Sequence, residues 1–342
     1  MKEIKWAFSG MWPNDTKRKI EECFLNSLED KYTFIYTPEE PDYLFCSCFD
    51  DYNFIKYDCI RIFYTNENFH PDFQLFDYCI GYNHDLSFGD RFCYLIPALF
   101  SIERLKTESV FFKANTTQYS IEEIKQRDIF CDFVYNHDNH GKRERYFELF
   151  NKYKRVEATG PLCNNQSVAS KPNNNYTEKL NFQRKCKFSL IIESCDFSNG
   201  LVTEKVFHAL LAGTIPIYCG EKAINEIVNP ERIINIDDYS SEEDLLRHVI
   251  EIDKDDNLYL EILNRPILKD SLFFEQQRKN LNAFLDHIFS QEKKEAVRRP
   301  KPEFWAGRYD RDLKVLAGPT LKIVRLVSGI KRRSSLLLDK LK

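Results

Sequence analysis

The sequence predicts an α/β chain of two Rossmann-like domains followed by a basic amphipathic tail. Short apolar runs alternate with helix-sized amphipathic segments, the pattern of parallel sheets covered by helices. The 342 residues suffice for two ordinary domains, each with its own core. Charge is split along the chain: residues 293–342 hold 15 Lys and Arg against 5 Asp and Glu, so the overall −4 conceals an acidic body and a strongly basic end.

The first domain is expected over residues 1–125. IKWAFS (3–8) reads as a strand, and residues 15–28 as a helix with Ile20, Cys23, Phe24 and Leu28 at helical spacing. YTFIY, YLFCSCF and CIRIFY follow as strands. CIRIFY runs straight into TNENFHPD, a loop of turn formers at a strand's carboxyl end, where open parallel sheets bind ligands. DYCIGY and FCYLIP continue the strand pattern, residues 97–115 read as a covering helix or loop, and IEEIKQ as a short helix.

The second domain is expected over residues 126–290. IFCDFVY opens it, followed by the polar loop and helix NHDNHGKRERYFELFNKYKRV, the strand RVEAT and an Asn- and Ser-dense loop over 159–177. Its organising stretch is 186–220. There CKFSLIIES reads as a buried strand, CDFSNG as a loop, TEKVFHALLAG as a helix capped by Thr203 and stopped at Gly213, and IPIY as a second strand. This puts residues 199–205 at the binding edge, where a helix N-terminus favours an anion. Lys205 in the first helical turn opposes the helix dipole and needs a compensating partner, for which a diphosphate would serve. Glu204 beside it is suited to accept hydrogen bonds from ribose hydroxyls. Further on, Asp237 and Asp238 precede the helix SSEEDLLRHVIEI and read as its N-terminal cap rather than as a metal-binding Asp-x-Asp motif.

Residues 291–342 form the tail. Leu321, Val324, Val327 and Ile330 recur at near-helical spacing among Lys322, Arg325, Arg332 and Arg333, so a helix lying on an anionic membrane surface is expected, with a helix packed on the body as the alternative. The 11 cysteines include no Cys-x-x-Cys and mostly fall in apolar runs, which points to buried reduced thiols. The start lacks an apolar secretion core, and no run of about 18 apolar residues occurs. The seven histidines are scattered and suggest no metal cluster.

Two stretches carry a resemblance. GLVTEKVFHALLAGTIPIYCG (200–220) resembles the donor-binding signature of the family 10 α-1,3/4-fucosyltransferases, and FYTNENFHPDFQLFDYCIGY (63–82) resembles their acceptor-side signature. The resemblance spans roughly residues 60–290. It implies the GT-B arrangement, two Rossmann-like domains facing a cleft, and an inverting transfer of L-fucose from GDP-fucose to a glycan containing N-acetylglucosamine, as in Lewis-type antigens. It places Glu67 as the base, with Asn68, His70 and Asp72 on acceptor hydroxyls. Arg143 falls where the family clamps the donor diphosphate, with Arg145 its nearest competitor, and Ser194, Asn199, Thr203, Glu204 and Lys205 join it in donor binding. No cofactor is required beyond the GDP-fucose donor, a divalent metal being at most stimulatory, and no nucleic-acid partner is expected. A bacterial-type, cytoplasmic enzyme held at the inner face of the membrane by its tail fits these features. The sequence departs from the family at Leu201 (commonly Tyr), Cys219 (commonly Trp), Asn66 (commonly Gly) and, under one gapping, Ser194 (Asn). Competing readings are a GT-B transferase using another nucleotide sugar and a membrane-docked sugar-binding protein without turnover.

Overall fold

Runs dense in Ile, Phe and Tyr form strands buried on both faces, as parallel sheets require. The computed structural model describes residues 1–11, 17–49, 52–99, 116–138, 141–166, 176–193, 200–300, 304–316, 323–324 and 326–328. β1 (Lys2–Ser9), β2 (Tyr32–Tyr36), β3 (Tyr43–Cys46), β4 (Ile60–Tyr64), β5 (Tyr78–Gly81) and β6 (Phe92–Tyr94) form one sheet in the order β2-β1-β3-β4-β5-β6. Every pair in it is parallel. Registers of Tyr43 with Ile60 and Ile62 with Tyr78 make β4 an interior strand, buried along its whole length. The expected first helix begins as α1 (Lys17–Ile20), then changes pitch to a π turn over Glu21–Leu25 and a 3₁₀ turn over Asn26–Leu28. Phe24, Leu25 and Leu28 stay buried throughout, so packing is kept while the pitch changes.

The second sheet follows α2 (Ile121–Lys125), which opens with a capping box between Ser120 and Glu123. In chain order come β7 (Ile129–Phe133), α3 (Lys142–Asn151), β8 (Val156–Ala158), α4 (Tyr176–Gln183), β9 (Cys186–Ile192), α5 (Glu204–Leu211), β10 (Ile215–Cys219), α6 (Ile224–Ile227) and β11 (Ile234–Asn235). The strands run parallel in the order β11-β10-β9-β7-β8. α7 (Glu242–Lys254) and α8 (Asp256–Leu263) supply Val249, Ile252 and Tyr259 to a core shared with Phe133, Phe188 and Ile217. Thr203 caps α5 and Gly213, at φ +74°, follows its end, as expected. The Asp pair is not the cap of α7. Ser241 accepts from Asp244 N there, whereas Asp237 and Asp238 sit one turn earlier in a 3₁₀ turn opened by the Asn235 side chain.

Asp132 of β7 is buried inside this sheet, where Ser189 and the Gln183 amide donate to it. Burial pushes its pKa up to about 6, against the opposing pull of Ser189, Gln183 and the Lys179 charge. A carboxyl raised on folding stabilises the fold below its ordinary 3.8 and loses that contribution as pH climbs through about 6. Asp132→Asn should therefore flatten the fall in melting temperature between pH 5 and 7.5, an effect of about 1.4 kcal/mol, since about one pH unit of that range lies below the raised pKa. Parallel melting curves of variant and parent across that range would refute it.

Two compact units emerge, one of residues 1–81, 86–95 and 279–342, the other of 82–85 and 96–278. The expected boundaries at 125 and 290 are thereby corrected. Residues 116–125 belong with the second unit because Tyr119 exchanges hydrogen bonds with the Asn264 side chain and Ile124 enters the second core. Within α9 (Phe273–Ser290), Phe289 packs edge-on against Tyr32, Phe34 and Tyr43, and Asp286 accepts from Lys31 and Tyr32, which assigns the helix end to the first unit.

The tail, expected from residue 291, is corrected as well. After α10 (Lys293–Ala296), the backbone N–H groups of Arg298 and Arg299 both donate to the fully buried Asp77 at 2.9 Å, and the Arg299 guanidinium pairs with it at 3.2 Å. α11 (Phe304–Leu316) then buries Leu313 among Phe54, Phe63, Leu75 and Phe76. Residues up to 316 are thus part of the first unit. Of the tail's amphipathic pattern, Val324 and Val327 are exposed, while Leu321, Lys322, Arg325, Ile330, Arg332 and Arg333 lie outside the described residues. Among the described residues no helix is long and apolar enough to cross a membrane. Cys59, Cys79, Cys93, Cys131 and Cys186 are buried thiols, as expected.

Candidate functional site

β9 delivers Glu193 to its carboxyl end with its side chain 1% exposed. That carboxylate accepts from Thr203 N at 3.2 Å and Thr203 Oγ1 at 2.7 Å, and holds the Lys205 ammonium at 3.5 Å. Lys205 Nζ also donates to Thr203 Oγ1 at 3.1 Å. A partner that Lys205 requires is therefore built into the protein, beside the diphosphate that was expected to serve. Burial works against the ammonium, but Glu193 and Glu204 outweigh it and hold the Lys205 pKa above its ordinary value. Burial likewise opposes ionisation of Glu204, yet the neighbouring charge of Lys205 brings it down to about 2. Both groups are charged at neutral pH.

Arg143, in the first turn of α3, converges on the same strand end. Its Nε donates to Ile192 O at 3.3 Å, its Nη1 to His137 O at 2.5 Å, and its guanidinium lies over the Tyr135 ring, 4.3 Å from the centroid. Tyr135 is fixed in turn, its hydroxyl accepting from Ile192 N at 2.7 Å and donating to Leu190 O at 3.3 Å. Arg145, the competitor, pairs with Glu242 at 2.6 Å and is 67% exposed. The structure thus gathers Arg143, Thr203, Glu204 and Lys205 at one strand end, two cations and one helix N-terminus together, while Ser194 and Asn199 lie outside the described residues. Gly200, at φ +104°, lies so close to Tyr82 O and His84 Nδ1 that a Cβ would sit 2.6 Å from each. Leu201 and Cys219 are buried, so these departures from the expected pattern fill the core. Glu193 was missed. Its only signal was an acid closing a buried strand ten residues before a capping threonine.

In the first unit, β4 places its following loop as expected. Thr65 is buried and its hydroxyl accepts from Glu67 N at 3.1 Å, while Phe69 N donates to Glu67 O at 2.7 Å, so the backbone on both sides of Glu67 is fixed. Glu67, Asn68 and His70 are exposed. Asp72 stands apart from them: its side chain accepts from Gln74 N at 2.9 Å and from the Tyr309 hydroxyl at 2.9 Å.

Each parallel α/β unit presents charged side chains at the carboxyl end of a strand, Arg143 and Lys205 in one and Glu67 in the other. The chain belongs to glycosyltransferase family 10: residues 7–102 match the alpha-(1,3)-fucosyltransferase FucT N-terminal domain, and residues 124–269 match the glycosyltransferase family 10 (fucosyltransferase) C-terminal domain. It is 32% identical over 223 residues to a putative fucosyltransferase R654 of Acanthamoeba polyphaga mimivirus, covering 63% of this chain and 35% of that one. To the alpha-(1,3)-fucosyltransferase FucT of Helicobacter pylori it is 27% identical over 231 residues, 59% of this chain and 46% of that one. The chain therefore spans less than half the length of these two relatives. Its fold is that of a crystallised alpha1,3-fucosyltransferase with GDP-fucose, at a TM-score of 0.66 and 22% identity, covering 88% of this chain and 94% of that one.

Proposed function

We propose that this protein transfers L-fucose from GDP-fucose, with inversion, to a hydroxyl of an N-acetylglucosamine-containing glycan, forming an α-1,3 or α-1,4 linkage. The observation that carries the reading is the pair of cations, Arg143 and Lys205, held by rigid partners at the carboxyl end of β9. The acceptor oxygen attacks C1 of fucose, the bond from C1 to the diphosphate breaks, and Glu67 takes the hydroxyl proton. Arg143 and Lys205 stabilise the charge that gathers on the departing GDP. Glu204 binds the ribose, Thr203 fixes the helix start, and Ser194 and Asn199 complete the donor side. Asn68 and His70 bind the acceptor. Two cationic side chains suit a mechanism in which a divalent metal is at most stimulatory. The reading is supported by family membership and by the GDP-fucose complex of a protein with this fold.

Incubation of the purified chain with labelled GDP-fucose and N-acetyllactosamine or lacto-N-biose tests it, with fucosylated product and GDP in equal amounts as the expected result. Turnover with GDP-mannose alone would identify a different donor, and donor binding without any product would identify a binding protein.

We further propose that the segment beyond residue 316 holds the enzyme at the cytoplasmic face of an anionic membrane, a reading supported by its basic composition and the exposed Ile323, Val324, Leu326 and Val327. A chain ending at Leu316 should keep its turnover and melting temperature and lose binding to vesicles containing phosphatidylglycerol. One ending at Gln291 should be destabilised by about 3–5 kcal/mol, because Asp77 stays buried after its arginine partner is removed. Unchanged vesicle binding by the shorter-tailed chain would remove the membrane reading.

A further inference from the structure

The last described long helix, α11, lies against the loop that carries Glu67, and the contact is specific. Leu313 is 7% exposed and is buried with Phe63 of β4 and with Leu75 and Phe76, which close the loop. One turn earlier on the same helix, Tyr309 donates its hydroxyl to Asp72 Oδ2 at 2.9 Å. Burial and the Asp72 carboxylate push the phenol's pKa up to about 12, so it remains a donor across the physiological range. The other Asp72 oxygen accepts from Gln74 N at 2.9 Å, and the Asp72 carbonyl accepts from Leu75 N and Phe76 N at 3.0 and 3.1 Å. Asp72 is therefore the knot of the loop's returning arm, its outer oxygen tied by a residue more than two hundred positions away.

At its leading arm the loop is held by Thr65, whose hydroxyl accepts from Glu67 N, and by the packing of Phe69 on Phe63 at 5.6 Å. The exposed Glu67 and Asn68 lie between the Thr65 and Phe69 attachments, and His70 between Phe69 and Asp72. A carboxylate that receives a proton must sit within hydrogen-bond reach of the acceptor hydroxyl, about 2.6–3.2 Å, and a loop tied at one arm only explores more positions than that allows.

We propose that α11 is a positioning element for the acceptor loop and that Tyr309 is its positioning residue, acting through Asp72. Asp72 itself thus serves the loop, in place of the acceptor contact that its position in the sequence suggested. The proposal rests on the reading of Glu67 as the base for its kinetic consequence, and on the hydrogen bond alone for its structural one.

The test uses the full chain and three variants: Tyr309→Phe, Asp72→Asn and the two combined. Each single change should lower kcat/KM for the acceptor about three- to tenfold, the loss expected for one hydrogen bond of ordinary net strength, with GDP affinity unchanged. The double variant should be no worse than the poorer single one, because the two residues act as one link. In Tyr309→Phe, amide exchange at Gln74, Leu75 and Phe76 should quicken while that of residues 204–211 stays the same. Unaltered exchange at these three amides would overturn the proposal whether or not the chain turns over. So would additive kinetic losses, or an equal fall in donor and acceptor parameters that tracks the melting temperature. Full turnover by Glu67→Gln, with quickened exchange in Tyr309→Phe, would overturn only the reading of Glu67 and leave the tie between helix and loop standing.

Discussion

Replacing Glu67 by Gln should reduce kcat for fucosyl transfer on the order of 10²–10⁴-fold, the usual contribution of a positioned general base, while GDP affinity and melting temperature stay unchanged. The substitution keeps the shape of the side chain and removes its capacity to take a proton. Glu67 lies exposed on a strand-end loop whose backbone is held on both sides of it, by the Thr65 hydroxyl and by Phe69 N. Single-turnover rates at saturating donor and acceptor give the comparison directly. A Gln variant that turns over within a few-fold of the parent would show that the proton goes elsewhere.

Lys205→Ala is expected to weaken GDP binding by about 1.5–3 kcal/mol, roughly 10- to 150-fold, as the loss of a charge-assisted contact to phosphate implies. Turnover should fall further, by about 10²–10³-fold, since the same ammonium meets more charge as the diphosphate leaves than it meets in the bound donor. The change also strands the Glu193 carboxylate, 1% exposed and, among the described residues, left with Thr203, so part of any loss in the single variant is loss of fold. Adding Glu193→Gln separates the two effects. The neutral amide still serves Thr203 without a buried charge to compensate, so the double variant should recover the melting temperature and not the nucleotide affinity. Calorimetric titration with GDP reads the affinity and a thermal melt reads the stability. Recovery of affinity together with stability would mean that Lys205 acts on the fold alone.

These two expectations differ in how far they could be drawn from the sequence. Glu67 stands in a motif whose loop position follows from an apolar run ending in turn formers, and β4 and its loop fall where that pattern puts them. The role of Lys205 was legible only in part. A cation in the first turn of a helix signals a compensating anion, but the signal does not say whether that anion is a ligand or the protein's own side chain, and Glu193 supplies the second. Arg143 and Arg145 are alike in the sequence, both near the start of one helix. Two residues along a helix turn a side chain by about 200°, which sends Arg143 to the end of β9 and Arg145 to Glu242.

Local pattern by itself determined the alternating strands and helices, the buried parallel sheets, the cap at Thr203 and the stop at Gly213, because each depends on neighbours a few residues away. Only the tertiary structure decided which unit owns the segments after residues 95 and 278, that residues 293–316 belong to the body, and that Glu193 and Asp72 hold other side chains in place. Those outcomes turn on contacts such as Arg299 with Asp77 and Tyr309 with Asp72, made across more than two hundred residues of chain. Charge and periodicity mark such residues as polar or apolar; the partner that satisfies them is fixed when the sheets close and water is excluded.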